Sequence, residues 1–357
     1  MTSSTTIPGR RTFTGAVAAA TLSAPLFWVR RAIAAEQVIV RTPGGVFDDI
    51  KRETIYEPFR KETGIEVVPV AATSGKLMAM MMAGQNELDV VDTGDNIVLE
   101  LEKGNYLMPI PYDKFKFTNV ADINPVVKRK YQLGSFIYAL ILAYNTKAIA
   151  PGSEPKSWAE FWDVKRFPGR RTLADMASGS CALEFALMAD GVPMDKLYPL
   201  DIDRAFKSMS RIRESIPKFW DTGALSSTMI ADNEVSMGAI WSTRAAAAED
   251  QGAPVGIQWN QNALLVQAYG IPKGARNVAN AIKFIDYSSS AESQARWFAK
   301  YKAIPVNAKA YGSMAAELID PATKTPWTQS KGFVLDIHWW AQNREKVANI
   351  WSKWIVS

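Results

Sequence analysis

The first group of residues that could bind a small molecule follows the first predicted β-strand, at residues 37–41. This apolar run ends at Thr42, and Gly44 and Gly45 come directly before a predicted helix. Two glycines before a helix can bind an anion through backbone N–H groups, assisted by the helix dipole. The same sequence also suits a tight turn between strand and helix. The residue types therefore allow an anion site here without requiring one.

Two aspartates follow later predicted strands and could bind an ammonium group. Asp92 and Thr93 come after the third strand, and Asp175 and Ser178 come after a short strand in the middle of the chain. Either aspartate could instead cap the helix behind it, because aspartate is a favoured N-cap residue. Asp175 is the better candidate of the two for a ligand contact.

An aromatic residue and an arginine mark the end of another apolar strand, at residues 235–241. Trp241 ends the strand and could stack on a ligand, and Arg244 follows three residues later. With Arg41 at the end of the first strand, Arg244 could bind a carboxylate, which suits the planar guanidinium. Pairing of Arg244 with Glu249 or another surface acid is the alternative.

Residue types needed for catalysis or for a metal site are scarce in this chain. Cys181 and His338 are its single cysteine and single histidine, and they lie far apart in sequence. One of each cannot form a zinc site of the usual ligands. The sequence around Ser178 lacks the G-x-S-x-G arrangement and has no nearby histidine to act as a base. We therefore expect no enzyme activity, no metal and no cofactor, and Cys181 is interpreted as a small buried helix residue.

The elements that position these residues alternate between strand and helix. Between residues 37 and 96, three strands and the helices between them predict a parallel sheet, with ligands outside the carboxyl ends of its strands. Apolar runs near 140–144 and 266–270 each read as a crossing between two α/β units. Two crossings predict a hinge and a cleft between two lobes.

Composition and charge indicate an exported protein. Arg10 and Arg11 precede an apolar run at 16–29 and small residues at 32–34, which resembles a twin-arginine export signal; an ordinary secretory signal is the alternative. The net charge of the whole chain is +5, but residues 1–34 hold four arginines and no acid, so the remainder carries 5 − 4 = +1. Without a basic surface of interleaved aromatics, nucleic acid is not an expected partner.

Several short motifs, in their order and spacing, resemble the extracellular solute-binding proteins of bacterial ABC importers. The nearest branch contains the spermidine/putrescine-binding proteins. The motifs are YNTK at 144–147, SWAEFWD at 157–163, FPGR at 167–170, MGAIWSTRA at 237–245 and YGIPKGA at 269–275. The resemblance implies two lobes that close on a solute, delivery to a membrane permease, and no catalysis.

The resemblance also implies where a ligand would be held. In that branch the contacts come from loops that correspond here to 42–46 and 92–94, from the segment around Asp175, and from Trp241. The polyamine binders also use a tryptophan and an aspartate on the return crossing. This chain has Leu265 and Gln267 there, so it departs from the family pattern at two polyamine contacts.

These observations predict an α/β protein with the two-lobed periplasmic binding protein fold and a hinge of two crossing strands. The expected divisions are a signal peptide at 1–34, one lobe from 36–141 and 268–310, a second lobe from 142–267, and a C-terminal helical segment at 311–357 that packs on the second lobe. The expected ligand-binding residues are Thr42, Gly44, Gly45, Asp92, Thr93, Asp175, Ser178, Trp241, Arg244 and Gln267.

The predicted function is that of a monomeric periplasmic receptor that captures a small amine-containing solute, polyamine-like or amino-carboxylate, for the permease of an ABC importer. The arginines favour a ligand with an amino or guanidino group at one end and a carboxylate at the other. Two alternatives remain at this point: a secreted enzyme of small-group transfer on the same fold, and a solute receptor for signalling.

Overall fold

The computed structural model describes residues 36–178, 182–326 and 330–357. The predicted export signal at 1–34, the predicted cleavage site and Cys181 therefore lie outside the described residues. Within the described residues, no helix is both long enough and apolar enough to cross a membrane.

The chain begins with three parallel strands connected by helices, as the alternation of apolar runs and glycine-rich stops predicts. Strand β1 lies between β2 and β3 and pairs in parallel with both. The long connection after β1 ends at Gly64, whose positive φ of 75° is accessible to glycine without strain. The elements are β1 (Gln37–Thr42), α1 (Val46–Lys51), a π-helical turn (Arg52–Tyr56), α2 (Glu57–Thr63), β2 (Glu66–Ala71), α3 (Ser74–Met82), β3 (Val90–Gly94) and α4 (Asp95–Lys103).

Three strands then lead into the centre of the sheet: β4 (Leu107–Met108), β5 (Lys128–Arg129) and β6 (Gln132–Asn145). Strand β6 pairs in antiparallel fashion with an equally central strand, β9 (Val255–Pro272), from Leu133 opposite Tyr269 to Asn145 opposite Val255. The register shifts between Gly134 and Phe136 and again between Leu140 and Leu142, which marks bulges in the pair. We call this pair of long strands the central ribbon.

The part of the chain between the two long strands forms the other half of the sheet. Strand β8 pairs with β6 in antiparallel fashion, and β7 pairs with β8 in parallel. The elements are α5 (Trp158–Trp162), β7 (Arg171–Thr172), α6 (Leu183–Ala189), α7 (Ile202–Ser210), α8 (Gly223–Ala231), β8 (Met237–Trp241) and α9 (Ser242–Asp250).

After the central ribbon the chain returns to the first half. Helices α10 (Val278–Ser288) and α11 (Ala291–Tyr301) pack against α1 and β1, and β10 (Gly332–Val334) adds to β9 in parallel. The last helix, α12 (Ile337–Trp354), contacts α4 in the first half. Two of its tryptophans, Trp351 and Trp354, pack against Phe206 and Phe219 of the second half.

The full strand order is β2-β1-β3-β9-β6-β8-β7, with β4 and β10 also paired to β9 and β5 paired to β6. The α/β architecture with two halves joined by two crossing strands agrees with the sequence prediction. The three strands of residues 37–96 pair in parallel, as their alternation with helices predicts. The sheet as a whole is mixed. The reason is that the crossing strands run in opposite directions, so β9 lies antiparallel to β3 and to β6.

Candidate ligand-binding cleft

The two halves of the sheet meet at the middle of the central ribbon. Gly94, at the end of β3, pairs with Gln267, which pairs in turn with Phe136; Trp241, at the end of β8, pairs with Leu140. Because β3 and β8 run in opposite directions, their carboxyl ends point towards each other. Their partners on β6, Phe136 and Leu140, are four residue steps apart, about 13 Å along the strand. Loops and helix starts from both halves therefore border one small space.

Two adjoining cavities of 450 and 370 Å³ occupy this space. Together we call them the cleft. The larger cavity, which contains Arg41 and Arg244, is the arginine side, and the smaller one, which contains Asp95, is the aspartate side. Both parts are lined by the same five residues at their common wall: Ser74, Gly94, Tyr138, Trp241 and Gln267.

The arginine side brings together residues from the first and second halves. Its lining includes Gly44, Gly45 and Thr93 from the strand-end loops of the first half, with Arg41 beside them. Arg244 enters it from the start of α9. The fold thus brings site residues that were predicted in both halves of the sheet together in one cavity.

The two arginines of this side differ in their surroundings. Arg41 is buried, and its guanidinium donates hydrogen bonds to the carbonyl oxygens of Asp92 (2.8 Å) and Ala72. Burial lowers the pKa of Arg41, an effect opposed by the charges of Asp92 and Asp48. Arg244 is exposed and belongs to none of the ion pairs among the described residues, including the expected alternative with Glu249. Its positive charge is thus available in the cleft.

Trp241 forms the common wall together with Tyr138. The rings of these two residues pack edge to face with centroids 6.1 Å apart, and Trp220 packs edge to face behind Trp241 at 5.2 Å. The indole Nε1 of Trp241 is buried and has no hydrogen-bond partner among the described residues. A buried donor without a partner is uncommon in native structures and marks a position where a ligand or water acceptor would be favourable.

The aspartate side contains a carboxylate that the sequence analysis did not select. Asp95 is the first residue of α4, and it lines this cavity together with Asn96 and Ser178. Its side chain is only 7% exposed. Burial raises the pKa of Asp95 to about 6, while the charge of Arg129 and backbone hydrogen bonds act in the opposite direction. The sequence feature that could have identified Asp95 as a site residue is its position one residue beyond the loop at 92–94.

The C-terminal helix also lines the aspartate side, a contribution not predicted from the sequence. Trp340 and Arg344 of α12 border the cavity. The indole of Trp340 donates to the buried carboxylate of Glu184 (2.7 Å), which also accepts a hydrogen bond from Tyr198 (2.6 Å). Burial raises the pKa of Glu184. Helix α12 is thereby attached to α6 at the edge of the cleft.

Three expected ligand residues do not line either cavity. Thr42 is buried and donates from its hydroxyl to Asp48 (2.8 Å). Asp92 is buried in an ion pair with Lys51 (3.1 Å). Asp175 accepts a hydrogen bond from the backbone N–H of Ala177 (2.8 Å), so it caps a short helical turn, the alternative that its residue type allows.

Lys51 is the centre of a buried polar network behind the cleft wall. Its ammonium donates to Asp92, to the hydroxyl of Ser135 (3.0 Å) and to that of Tyr269 (2.6 Å). Burial by itself lowers the pKa of Lys51, but the charge of Asp92 and the contact with Tyr269 raise it overall. The network ties α1 to β3 and to both strands of the central ribbon.

Among the described residues, no group of three or more histidine, cysteine, aspartate or glutamate side chains is arranged to hold a metal ion. What the cleft offers is a side with Arg41 and Arg244, a side with Asp95 and Arg344, and an aromatic wall between them. Such a set of groups can bind and orient a small polar molecule.

Comparison with known proteins gives a consistent assignment. Residues 54–325 match the family model described as bacterial extracellular solute-binding protein. A gamma-aminobutyric acid-binding protein of Pseudomonas aeruginosa is 26% identical over 319 residues, which cover 87% of this chain and 88% of that protein. The spermidine/putrescine-binding periplasmic protein of Escherichia coli is 25% identical over 244 residues, 65% of this chain and 68% of that protein.

Among solved structures, the Atu4243-GABA receptor superposes with a TM-score of 0.79 at 32% identity, covering 90% of this chain and 98% of the receptor. The similarity thus extends over both halves of the sheet and the central ribbon.

Proposed function

Because this chain belongs to the bacterial extracellular solute-binding protein family, we propose that it captures a small amino-carboxylate in the cleft and delivers it to the permease of an ABC importer. The observation that carries the proposal is Arg244, an exposed cation in the cleft with no ion-pair partner among the described residues. Its planar guanidinium suits a carboxylate with two parallel hydrogen bonds.

The residues of the return crossing argue against a dicationic solute. A diamine needs an acidic or aromatic partner for each ammonium group, because an unpaired buried charge is costly. Leu265 and Gln267 border the cleft where the polyamine binders have a tryptophan and an aspartate. The two GABA-binding relatives bind an ω-amino acid, and we extend this ligand class to the present chain.

Within this proposal, lobe closure brings the ligand between residues of both halves. We assign 36–141 and 268–310 to one lobe, 142–267 to the other and 311–357 to a C-terminal segment. The paired long strands of the central ribbon support this division, since both cross the cleft region. We further propose that the protein acts as a monomer.

Isothermal titration calorimetry of the purified mature protein tests the ligand class. The compounds are ω-amino acids of three to six carbons, opine-like compounds, putrescine and spermidine. We expect an amino-carboxylate to bind and the polyamines to bind at least tenfold more weakly. Arg244→Gln should weaken amino-carboxylate binding by about 2 kcal/mol or more, because the ligand carboxylate loses its charged partner.

Arg170→Gln is the matched control, since Arg170 is exposed and also belongs to the second half of the sheet. It should bind as the wild type does. Tight putrescine binding that survives Arg244→Gln would contradict the proposed ligand class.

A further inference from the structure

Asp95 differs from Asp92 and Asp175 in lining the cleft, and the charge of Arg129 acts on it without an ion pair between the two. It lines the aspartate side, is 7% exposed and forms no ion pair among the described residues. Asp92, three residues earlier on β3, is instead neutralised by Lys51. A buried carboxylate without a cationic partner is unfavourable unless a ligand supplies one.

A structural role at the start of α4 is the competing explanation. A carboxylate there is stabilised by the helix dipole and by free backbone N–H groups, which lowers its pKa. The pKa of Asp95 is raised to about 6, so burial outweighs the helix terminus and the charge of Arg129. The other titratable groups bordering this space are Tyr138 on β6 and Arg344 on α12.

We infer that Asp95 binds the ammonium group of the solute and so selects amino-carboxylates over simple carboxylates. Tyr138 and Trp241 present aromatic rings between Asp95 and the arginine side, and such rings attract a cation at their faces. The inference rests on the proposed function, because it places the ligand carboxylate at Arg244 and the ligand chain along the common wall.

A dependence of affinity on pH follows from this arrangement. The ammonium group binds the ionised form of Asp95. With a pKa of about 6 in the unliganded protein, this form dominates at pH 7.5 and is the minor form at pH 5.0. Affinity for the amino-carboxylate should therefore fall about tenfold from pH 7.5 to pH 5.0. Affinity for a carboxylate without an amino group should not follow this trend.

The test is calorimetry with 4-aminobutanoate and with butanoate at pH 7.5 and 5.0, on the wild type and on Asp95→Asn. We expect Asp95→Asn to weaken 4-aminobutanoate binding tenfold or more at pH 7.5, to flatten its pH dependence and to leave butanoate binding unchanged. Asp113→Asn, which changes an exposed aspartate of the first half, serves as the matched control and should bind as the wild type does.

The outcomes separate the inference from the proposed function. If the wild type binds 4-aminobutanoate and Asp95→Asn binds it equally well, the inference is wrong and the proposed function stands. If the wild type binds no amino-carboxylate of the calorimetric panel, the proposed function is wrong and the inference with it.

Thermal unfolding of the unliganded protein tests the competing explanation, in which Asp95 has only a structural role at the start of α4. Removing a buried unpaired charge should leave Asp95→Asn at least as stable as the wild type at pH 7.5. A lower melting temperature, together with unchanged affinity, would instead assign Asp95 to the start of the helix.

Discussion

Trp241, like Tyr138, borders both the arginine side and the aspartate side of the cleft. Its ring is held edge to face between Tyr138 and Trp220, while its Nε1 has no hydrogen-bond partner among the described residues. The ring is thus fixed in place by packing.

Trp241→Ala should weaken solute binding by about 1–3 kcal/mol, as for a buried aromatic anchor in an interface. Its effect on the free energy of unfolding should be smaller than that of Trp297→Ala, about 3–5 kcal/mol, because Trp297 is fully buried. Calorimetry and chemical denaturation of both variants check this. A large loss of stability with unchanged affinity would place Trp241 in the core alone.

Gly223, the first residue of α8, allows Trp241 and Arg244 to lie where they do. A Cβ atom at this position would lie 2.7 Å from Cε3 of Trp241 and 2.9 Å from Nε of Arg244. These distances are too short for carbon contacts, so one or both side chains would have to move.

We expect Gly223→Ala to weaken solute binding, because Trp241 or Arg244 would have to leave its position in the cleft; overpacking of this kind typically costs about 1–3 kcal/mol in stability. Gly312→Ala is the matched control, since a Cβ there would meet no atom within 4 Å. The affinities of both variants are measured by calorimetry. Wild-type affinity in Gly223→Ala would show that Trp241 and Arg244 can shift without harm to the site.

At the scale of elements, the Lys51 network fixes α1 and β3 to the central ribbon. Lys51 and Asp92 are each 1% exposed, and Ser135 and Tyr269 complete the contacts of the ammonium. Because the loops after β1 and β3 both border the cleft, this network sets the position of one of its walls.

Lys51→Met should lower the free energy of unfolding by about 3–5 kcal/mol, because it leaves the buried charge of Asp92 without a partner. The double variant Lys51→Met, Asp92→Asn should recover much of this loss. Lys61→Met, at an exposed lysine of α2, should change stability by less than about 0.5 kcal/mol. Denaturant unfolding of the three variants gives these values. If Lys51→Met were as stable as the wild type, this stabilising role of the Lys51–Asp92 pair would be contradicted.

At the scale of the whole molecule, two long strands and α12 connect the halves on either side of the cleft. The central ribbon runs through both halves of the sheet, and α12 contacts α4 in the first and Phe206 and Phe219 in the second. Closure of such a pair of lobes is a hinge motion absorbed by a few residues at the crossing. The bulges in the central ribbon are suitable positions for this hinge motion.

Ligand binding should reduce the radius of gyration measured by small-angle X-ray scattering, because closure brings the lobes together. Arg244→Gln is the control: at a ligand concentration of about ten times the wild-type Kd it should stay close to the unliganded value, because its affinity is lower. Identical dimensions of the wild type with saturating ligand and without it would argue against closure.

Replacing Arg10 and Arg11 by lysine tests the proposed twin-arginine export of the molecule. If that route is used, precursor should accumulate in the cytoplasm and the periplasmic fraction should lose the protein. Cell fractionation measures both pools. Normal export of the double variant would assign the signal to the general secretory route.

The sequence by itself determined the succession of strands and helices and the residues at the strand ends. Apolar β-branched runs stopped by glycine identify β1 to β3, and two long apolar runs predict the crossings. These features are local, because strand periodicity and turn residues act over a few positions. They sufficed to place Gly44, Thr93, Trp241 and Arg244 at strand ends or within three residues of them.

Only the tertiary structure decided which polar residue has a partner and which faces the cleft. Asp92 is neutralised by Lys51, 41 residues away in sequence, and Trp340 reaches Glu184 across 156 residues. Asp95 is left in a cavity although it resembles any first residue of a helix. Burial and ion pairing depend on contacts between distant segments, so no local pattern could separate Asp92 from Asp95.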